Sequence, residues 1–408
     1  MADRGRVRGS GVLGLCLLLV SLLVALAGCG GRPTADTAGA EVQRVLDRRA
    51  AAVLAHDSRA YAATGTTAGY ANLAAVPLAA WSYRVTAVRR AGDSATAEAT
   101  LSYRVEGYDR APVTAARTLR LTRDSGGGWS VASERPAQQA GEQLWDQGAV
   151  SAVRGVHSLV LGVGQPAARL RSFADLADRA VPEVSAAWGT DWAGHVVVLV
   201  PGSLQAMAGL LGSPASSYRG IAAVTTGETG GETGGETGGG ARTPADRVVV
   251  NPEAYAQLGS LGRQVVLTHE TTHVATRAHT NAATPLWLSE GYADWVGYRG
   301  TGRTPRQVAP ELRGAVAGGD VPAALPTDSA FGFSADPTRL AQAYEGGWLA
   351  CRMIADRWGE TKLNAFYRSV ATHRNRAGAV ETALSTVLGT SLPDFTAAWR
   401  TYLKTRLG

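Results

Sequence analysis

Three observations in the amino-acid sequence predict an α+β fold. A helical pattern of apolar residues over 40–56 is followed by four alternating segments typical of an antiparallel meander. Short apolar runs typical of buried strands then mix with helical patterns between residues 150 and 250. From there to residue 408 the periodicity is mainly helical. We therefore expect an N-terminal helix-plus-meander roll, followed by a part with a small mixed sheet and a helical C-terminal half.

The composition indicates a folded chain of roughly two domains. Of the 408 residues, 45% are hydrophobic and 18% are charged, and the formal net charge is +6. Because the arginines are interleaved with acidic residues and form no basic stripe, we expect no nucleic-acid partner. Three cysteines are too few for a disulfide framework. Cys351 is expected to be a small buried side chain.

The N-terminal segment has the pattern of a secretory signal. Three arginines precede an apolar run over residues 12–27, which is shorter than the ~20 residues that span a bilayer. The sequence Leu26-Ala27-Gly28-Cys29 resembles the lipobox of bacterial lipoproteins. That resemblance implies removal of residues 1–28, lipidation of Cys29, a tether over residues 29–39 and anchoring on the extracytoplasmic face of the cell membrane. The alternative is an ordinary signal peptide in which Cys29 is incidental.

The meander is predicted from alternating polar and apolar residues that are separated by turn-forming glycines and aspartates. Its order, one helix and then four strands, resembles the cystatin-like and nuclear transport factor 2-like rolls. The resemblance implies a spacer or regulatory module, which we place at residues 40–138. The predicted strands are residues 81–88, 95–108, 113–123 and 129–133.

The second predicted part covers residues 142–408. A tandem Glu-Thr-Gly-Gly repeat that begins at Glu228 is typical of a solvated flexible loop. Pro310 is expected to interrupt a helix, because proline lacks an amide donor. The predicted strands are residues 150–161, 195–200, 221–226 and 247–250, and the predicted helices are residues 166–188, 305–316, 340–358, 363–372, 380–388 and 393–407.

A metal-binding motif, His269-Glu270-Thr271-Thr272-His273, lies within an apolar helical pattern. Residues four apart on a helix project from the same face, so the two imidazoles can share one metal ion. The Glu270 carboxylate beside the first histidine can reach a water at that metal. The sequence therefore predicts a metal site on one face of this helix.

Two residues compete for the position of third ligand. His279 follows His273 by six residues, which is the spacing of the metzincin motif. That motif has glycine where Thr276 stands, since the chain must turn back with a positive φ. Glu290 belongs to a second predicted helix, opened by Pro285, and would face the first helix. We favour Glu290 as the ligand and keep His279 as the alternative.

The histidine motif with Glu290 on the next helix resembles the gluzincin metallopeptidases over about residues 258–294. The resemblance implies a zincin-like domain that holds one Zn2+ through His269, His273 and Glu290. It also implies that Asp294, four residues past the ligand, supports the first histidine. A carboxylate in that position fixes the imidazole tautomer and raises its basicity.

Two further features are implied around this centre. The segment that begins at Tyr344 is similar to the aminopeptidase-type gluzincin segment in which a tyrosine stabilises the oxyanion, although packing in the core is an alternative for this ring. An edge strand beside the cleft, with Ala222, Ala223 and Val224, could pair with an extended peptide by strand addition.

These residues together predict a zinc metallopeptidase that acts on peptide or protein substrates outside the cytoplasm. In this mechanism Glu270 takes a proton from the attacking water and returns it to the leaving amine. Two alternatives stay open. One is a non-catalytic zinc-containing lipoprotein that binds cell-envelope or protein partners, and the other is a zinc hydrolase acting on a non-peptide amide.

Overall fold

The computed structural model describes residues 37–228, 243–332 and 336–408. The predicted signal peptide, Cys29 and most of the Glu-Thr-Gly-Gly repeat lie outside these ranges. In the described ranges the strands are β1 (Leu78–Ala91), β2 (Ser94–Val105), β3 (Val113–Arg123), β4 (Trp129–Pro136), β5 (Val150–Arg154), β6 (Ser158–Val163), β7 (Val196–Val200), β8 (Ala223–Gly227) and β9 (Asp246–Val250).

The helices are distributed along the whole described chain and dominate its C-terminal half. They are α1 (Thr37–Leu54), α2 (Ser58–Ala62), α3 (Ala167–Trp188), α4 (Leu204–Leu211), α5 (Pro252–Ala256), α6 (Ser260–Thr276), α7 (Leu286–Tyr298), α8 (Pro305–Val308), α9 (Pro310–Ala317), α10 (Pro337–Trp358), α11 (Glu360–Val370), α12 (Ala379–Ala383) and α13 (Leu392–Leu407). The predicted α+β class and helical C-terminal half are confirmed.

The first sheet is an antiparallel meander in the order β1-β2-β3-β4. Strand β2 alternates between buried and less buried residues from Ala95 to Val105, because successive side chains point to opposite faces of a sheet. Its buried side chains join one hydrophobic cluster with Val42, Leu46 and Val53 of α1. The helix therefore covers one face of the meander, as the helix-plus-meander pattern predicts.

The second sheet is mixed, in the order β5-β6-β7-β9-β8. Strands β6, β7 and β9 run parallel, whereas β5 and β8 pair antiparallel with their neighbours. The central strand β7, residues 196–200, is buried throughout, as expected for a strand covered on both faces. Among the described strands, β8 therefore has a hydrogen-bonded neighbour, β9, on one side only and forms an edge of the sheet.

The single strand predicted over residues 150–161 is wrong, since the structure has a hairpin there, β5 and β6. The Asp178 carboxylate on α3 accepts the backbone N–H groups of Val156 and His157 at 2.6 and 2.8 Å. A Cβ at Gly155 would lie 2.3 Å from an oxygen of the same carboxylate. The turn thus depends on a side chain distant in sequence, which the local strand pattern does not contain.

The helical half follows the sequence pattern with two local changes. Helices α8 and α9 are separate, and the break falls before Pro310, as expected. The helix predicted over residues 380–388 is instead α12 followed by a π-helical turn, Leu384–Leu388. Among the helices of the described residues, none combines the length and apolarity needed to cross a membrane.

The meander and the second sheet share a hydrophobic cluster. Trp81 and Trp145 pack with their ring centroids 5.4 Å apart, and Leu161 of β6 belongs to the same cluster. Buried Arg247 on β9 forms two hydrogen bonds, at 2.7 and 2.9 Å, with the Asp109 carboxylate that follows β2. The boundary predicted between residues 138 and 142 thus lies at a packed junction, and the division into domains stays a prediction.

Glycines lie at the points where helix α7 contacts two neighbouring helices, α10 and α6. A Cβ at Gly291 would lie 2.3 Å from the carbonyl group of Gly347 on α10. A Cβ at Gly297 would lie 3.1 Å from the carbonyl oxygen of Val265 on α6. These close contacts fix the height and rotation of α7 between α6 and α10, because a larger side chain at either position would push the helices apart.

We expect Gly291→Ala to lower the free energy of unfolding by about 1–3 kcal/mol, because the added methyl group overpacks the contact between α7 and α10. The matched control is Gly314→Ala, at an exposed position of α9 where a Cβ meets nothing within 4 Å. Alanine there should stabilise the protein by about 0.5–1 kcal/mol through its higher helix propensity. Urea unfolding measured by tryptophan fluorescence distinguishes the two. Equal effects of both substitutions would contradict the packing account.

Candidate metal centre

The histidine motif, residues 269–273, lies on α6. Its two histidine side chains face a cavity that is lined by α6 and its neighbours. Away from the cavity, Thr268, Thr271 and Thr272 of this helix are buried in the protein. Leu267 packs into the hydrophobic cluster beneath the second sheet. The two histidines, four residues apart, project together from the opposite face, with ring centroids 4.7 Å apart. The predicted placement of both imidazoles on one helical face is therefore what the structure contains.

Three potential ligand atoms converge at this face. Nε2 of His269 lies 3.0 Å from Nε2 of His273 and 3.2 Å from Oε2 of Glu290. The distance from Nε2 of His273 to the same oxygen is 3.5 Å. Ligand atoms bound about 2.0–2.1 Å from a tetrahedral zinc ion are separated from each other by about 3.3 Å. The three side chains thus have the mutual spacing of zinc ligands.

The hydrogen bonding of His269 also fits a metal ion. Nδ1 of His269 donates to Oδ1 of Asp294 at 2.8 Å, because a carboxylate can only accept. The proton on Nδ1 leaves Nε2 with a lone pair that points toward His273 and Glu290. In this neutral form the three facing atoms are all electron-pair donors, and either a proton on an imidazole or a divalent cation at their centre would relieve their repulsion.

The electrostatics of the centre favour positive charge. Burial opposes protonation of His269, but the neighbouring Asp294 carboxylate outweighs it and raises the pKa of the imidazole well above its usual value. Burial likewise opposes ionisation of Glu290, yet the imidazoles of His273 and His269 lower the pKa of this carboxyl well below its usual range. A metal cation can supply the positive charge that the two carboxylates attract.

His279, the alternative third ligand, is turned away from this cluster. Helix α6 ends at Thr276, and a short 3-10 turn carries His279 to the far side of the helix end. There Arg368 donates to its Nε2 at 2.7 Å, and its ring contacts the face of Trp188 edge-on. The structure therefore brings Glu290, and not His279, to the two histidines.

Glu270 has a partner that the sequence analysis missed. Oγ1 of Thr225, on β8, lies 2.6 Å from Oε2 of Glu270 and 3.0 Å from its carbonyl oxygen. The hydroxyl therefore holds one carboxylate oxygen in place. Strand alternation places Thr225 on the same face as Ala223, but only the packing of β8 along α6 shows which helix residue it meets.

Tyr344, on α10, lines the same cavity as the metal ligands. Its ring packs edge-on against Phe331, with centroids 5.1 Å apart, and its hydroxyl has no hydrogen-bond partner among the residues described. Burial raises the pKa of this phenol, and the nearby carboxylates of Glu290 and Asp294 raise it further. The hydroxyl thus stays a neutral hydrogen-bond donor at physiological pH.

A cavity of about 960 Å³ lies over the centre. Its walls come from β8, α6, α7 and α10, and Ala222, Ala223 and Val224 of the predicted substrate strand lie along one of them. On the opposite wall Glu345 is buried, and burial raises the pKa of its carboxyl to about 7. A cavity of this size admits several residues of an extended peptide.

The chain has a weak structural similarity to a known protein. No protein-family model matches the chain, and no curated protein matches it. Among solved structures it is similar to an M1 zinc metallopeptidase from Deinococcus radiodurans, a substitution variant bound to the substrate Tyr-Ser-Ala. The identity is 13%, the TM-score is 0.34, and the match covers 80% of this chain and 61% of that one. The chain spans about three fifths of its neighbour's length. The function proposed below therefore rests on the geometry of the site.

We expect the purified chain to hold about one zinc ion, and His273→Gln to lose it because only two ligands remain. His279→Gln is the matched control, since Arg368 already occupies that imidazole, and its zinc content should equal that of the wild type. Asp294→Ala should weaken zinc affinity about 10- to 100-fold, because the orientation of His269 is no longer fixed. Atomic absorption after dialysis and titration with a chelator measure both effects. Zinc retained by His273→Gln but lost from His279→Gln would overturn this assignment.

Proposed function

We propose that the protein is a zinc-dependent peptidase that hydrolyses peptide bonds with water. The observation that carries the proposal is the position of the Glu270 carboxylate, one residue from His269 and beside three converging metal-ligand atoms in a large cavity. A structural zinc site is closed by four protein ligands. Among the described residues three side chains, His269, His273 and Glu290, converge, so a zinc ion held by them would keep a coordination position for water.

Bound zinc supplies an activated water at neutral pH and polarises the carbonyl group of the substrate. Glu270 moves the proton. Because Thr225 holds Oε2, the other oxygen, Oε1, is free to take a proton from the attacking water. As the carbon–nitrogen bond breaks, the same oxygen returns this proton to the leaving amine. One water is consumed, and one new carboxyl group and one new amine are formed.

Tyr344 is proposed to stabilise the transition state. Negative charge develops on the carbonyl oxygen during attack, and a neutral hydroxyl can donate a hydrogen bond to it without bringing a charge of its own. Two observations support this role. The Tyr344 side chain lines the cavity and its hydroxyl has no hydrogen-bond partner among the described residues, and the raised pKa of Tyr344 keeps that hydroxyl protonated.

Strand β8 is proposed to bind the substrate backbone. It is an edge strand, and its residues Ala223 and Val224, together with Ala222 just before it, line the cavity next to Glu270. The free backbone groups of an edge strand can pair with an extended peptide, which gives binding energy with little dependence on side chains. The position of β8 along α6 would place the paired peptide across the metal ligands.

The cellular location is a separate proposal. The charged and apolar N-terminal pattern and the lipobox-like sequence that ends at Cys29 support lipid anchoring on the extracytoplasmic face of the membrane. A lipid anchor would hold the peptidase close to that surface, with the roll of residues 40–138 as the spacer or regulatory module.

The decisive experiment is Glu270→Gln. We expect this variant to keep its zinc but to cleave unfolded protein substrates at least about 100-fold more slowly, because the amide cannot accept the proton. Exposed Glu381→Gln on α12 is the matched control and should cleave as fast as the wild type. Equal cleavage by Glu270→Gln would defeat the mechanism. A wild-type chain that holds zinc but cleaves no peptide in an unbiased library would instead favour the non-catalytic lipoprotein.

The hydrogen bond from Thr225 gives a second test. Thr225→Val keeps the shape of the side chain but frees the Glu270 carboxylate, and we expect kcat to fall about 10- to 100-fold, the effect of one hydrogen bond to a charged group. Zinc content and KM should change little, and Thr225→Ser should restore most of the rate. If valine and serine lower kcat equally, the hydroxyl does not position the carboxylate.

A further inference from the structure

Resting on the proposed function, the geometry points to the class of substrate. We infer that the site cleaves within polypeptide chains, not at a free amino terminus, and that it prefers an acidic side chain close to the scissile bond, bound by Arg277. Two observations carry this inference. The carboxylates of the cavity are already engaged, and an incompletely paired guanidinium group lies one helical turn beyond the metal ligands.

A site that recognises a free amino terminus needs a carboxylate that has no other role, because a desolvated ammonium group must be paired with negative charge. Among the described residues, two of the carboxylates that line the cavity belong to the metal centre. Glu290 faces both imidazoles, and Asp294 accepts from His269. Each uses one oxygen there, and an ammonium group at the other oxygen would lie beside the metal cation and be repelled by it.

The other two carboxylates on the cavity wall are occupied as well. Glu270 is held by Thr225 at 2.6 Å, and the mechanism requires its second oxygen for the proton. Glu345 accepts the backbone N–H groups of Leu312 and Glu311 at 2.6 and 3.3 Å and so caps the start of α9. The described part of the cavity therefore offers no carboxylate to a substrate ammonium group.

Arg277 supplies the opposite charge. It is the first residue after α6 and keeps helical backbone angles, so it lies about 6 Å beyond His273 along the helix axis, and it lines the cavity. Its Nε donates to Oδ1 of Asp246 at 2.8 Å, while its Nη2 is buried without a hydrogen-bond partner among the described residues. Asp246 also contacts Arg110 at 3.5 Å, so one carboxylate serves two guanidinium groups.

A second arginine lies at the other end of the cleft. Arg219 precedes β8, is exposed, lines the cavity and forms no ion pair or hydrogen bond within the described ranges. Arg277 contacts Asp246, the residue paired with Gly227 at the far end of the same strand. Positive groups therefore flank the cleft at both ends, where they repel a substrate ammonium group and attract carboxylates.

The distance between the metal ligands and Arg277 sets the position of the acidic group in the substrate. An extended peptide advances about 3.3 Å per residue, so about 6 Å along α6 corresponds to roughly two residues. A substrate carboxylate within about two residues of the scissile bond can therefore reach the guanidinium group of Arg277. The carboxylate can come from an Asp or Glu side chain or from a chain terminus, and blocked peptides separate these sources.

The test uses the zinc-loaded full chain and a peptide that it cleaves in an unbiased library, long enough to extend beyond both ends of the cleft. We expect an acetylated amino terminus and an amidated carboxyl terminus to change kcat/KM by less than about twofold. Asp near the scissile bond should raise kcat/KM about 10- to 100-fold over Asn, the effect of a charge-assisted hydrogen bond. Arg277→Gln should reduce this ratio to about one, and Arg277→Lys should restore part of it. Exposed Arg313→Gln on α9 is the control and should leave the ratio unchanged.

The ratio of two peptides on one variant is independent of how much of that variant is folded. An equal rate for Asp and Asn peptides on the wild type would overturn the role of Arg277. Stepwise release of residues from a free amino terminus, or loss of cleavage on amidation of the carboxyl terminus, would overturn cleavage within chains while supporting a peptidase. Failure of the zinc-loaded chain to cleave any peptide would instead overturn the proposed function.

Discussion

The convergence of two imidazole nitrogens and one carboxylate oxygen is the constraint on which the rest of the C-terminal half depends. Their separations of 3.0 to 3.5 Å are unfavourable for three electron-pair donors unless positive charge lies between them. A protonated imidazole or a metal cation supplies this charge, and the fold must hold α6 and α7 close enough for the three groups to share it. Asp294 contributes by fixing the His269 ring, and Gly291 and Gly297 contribute by allowing α7 to approach both of its neighbours.

The sequence was sufficient for those parts of the site that are set within one element. Both histidines and Glu270 follow from helical periodicity, since residues four apart must share a face. Glu290 followed from its place on the next helix, and the structure brings it within reach of both imidazoles. The metzincin-type alternative, His279, failed for a local reason, because α6 continues to Thr276 and a 3-10 turn then rotates the histidine away.

The parts that the sequence could not predict depend on contacts between distant elements. The turn at Gly155 is stabilised by Asp178 on α3, and Thr225 meets Glu270 only because β8 lies along α6. Asp246 lies closer to Arg277 than to Arg110, and these three residues come from separate segments of the chain. A hydrophobic pattern specifies which face of an element is buried, but it does not specify which polar atoms meet once two elements pack.

In the proposed mechanism, the contact between β8 and α6 would link substrate binding to proton transfer. An extended peptide paired with the free edge of β8 would order the strand that carries Thr225, and the Thr225 hydroxyl orients the Glu270 carboxylate at 2.6 Å. Misplacement of a catalytic group by about 1 Å can cost about 100-fold in rate. Binding energy along the strand can thus be used to align the general base, so that a peptide too short to engage β8 would react slowly even when its scissile bond reaches the metal.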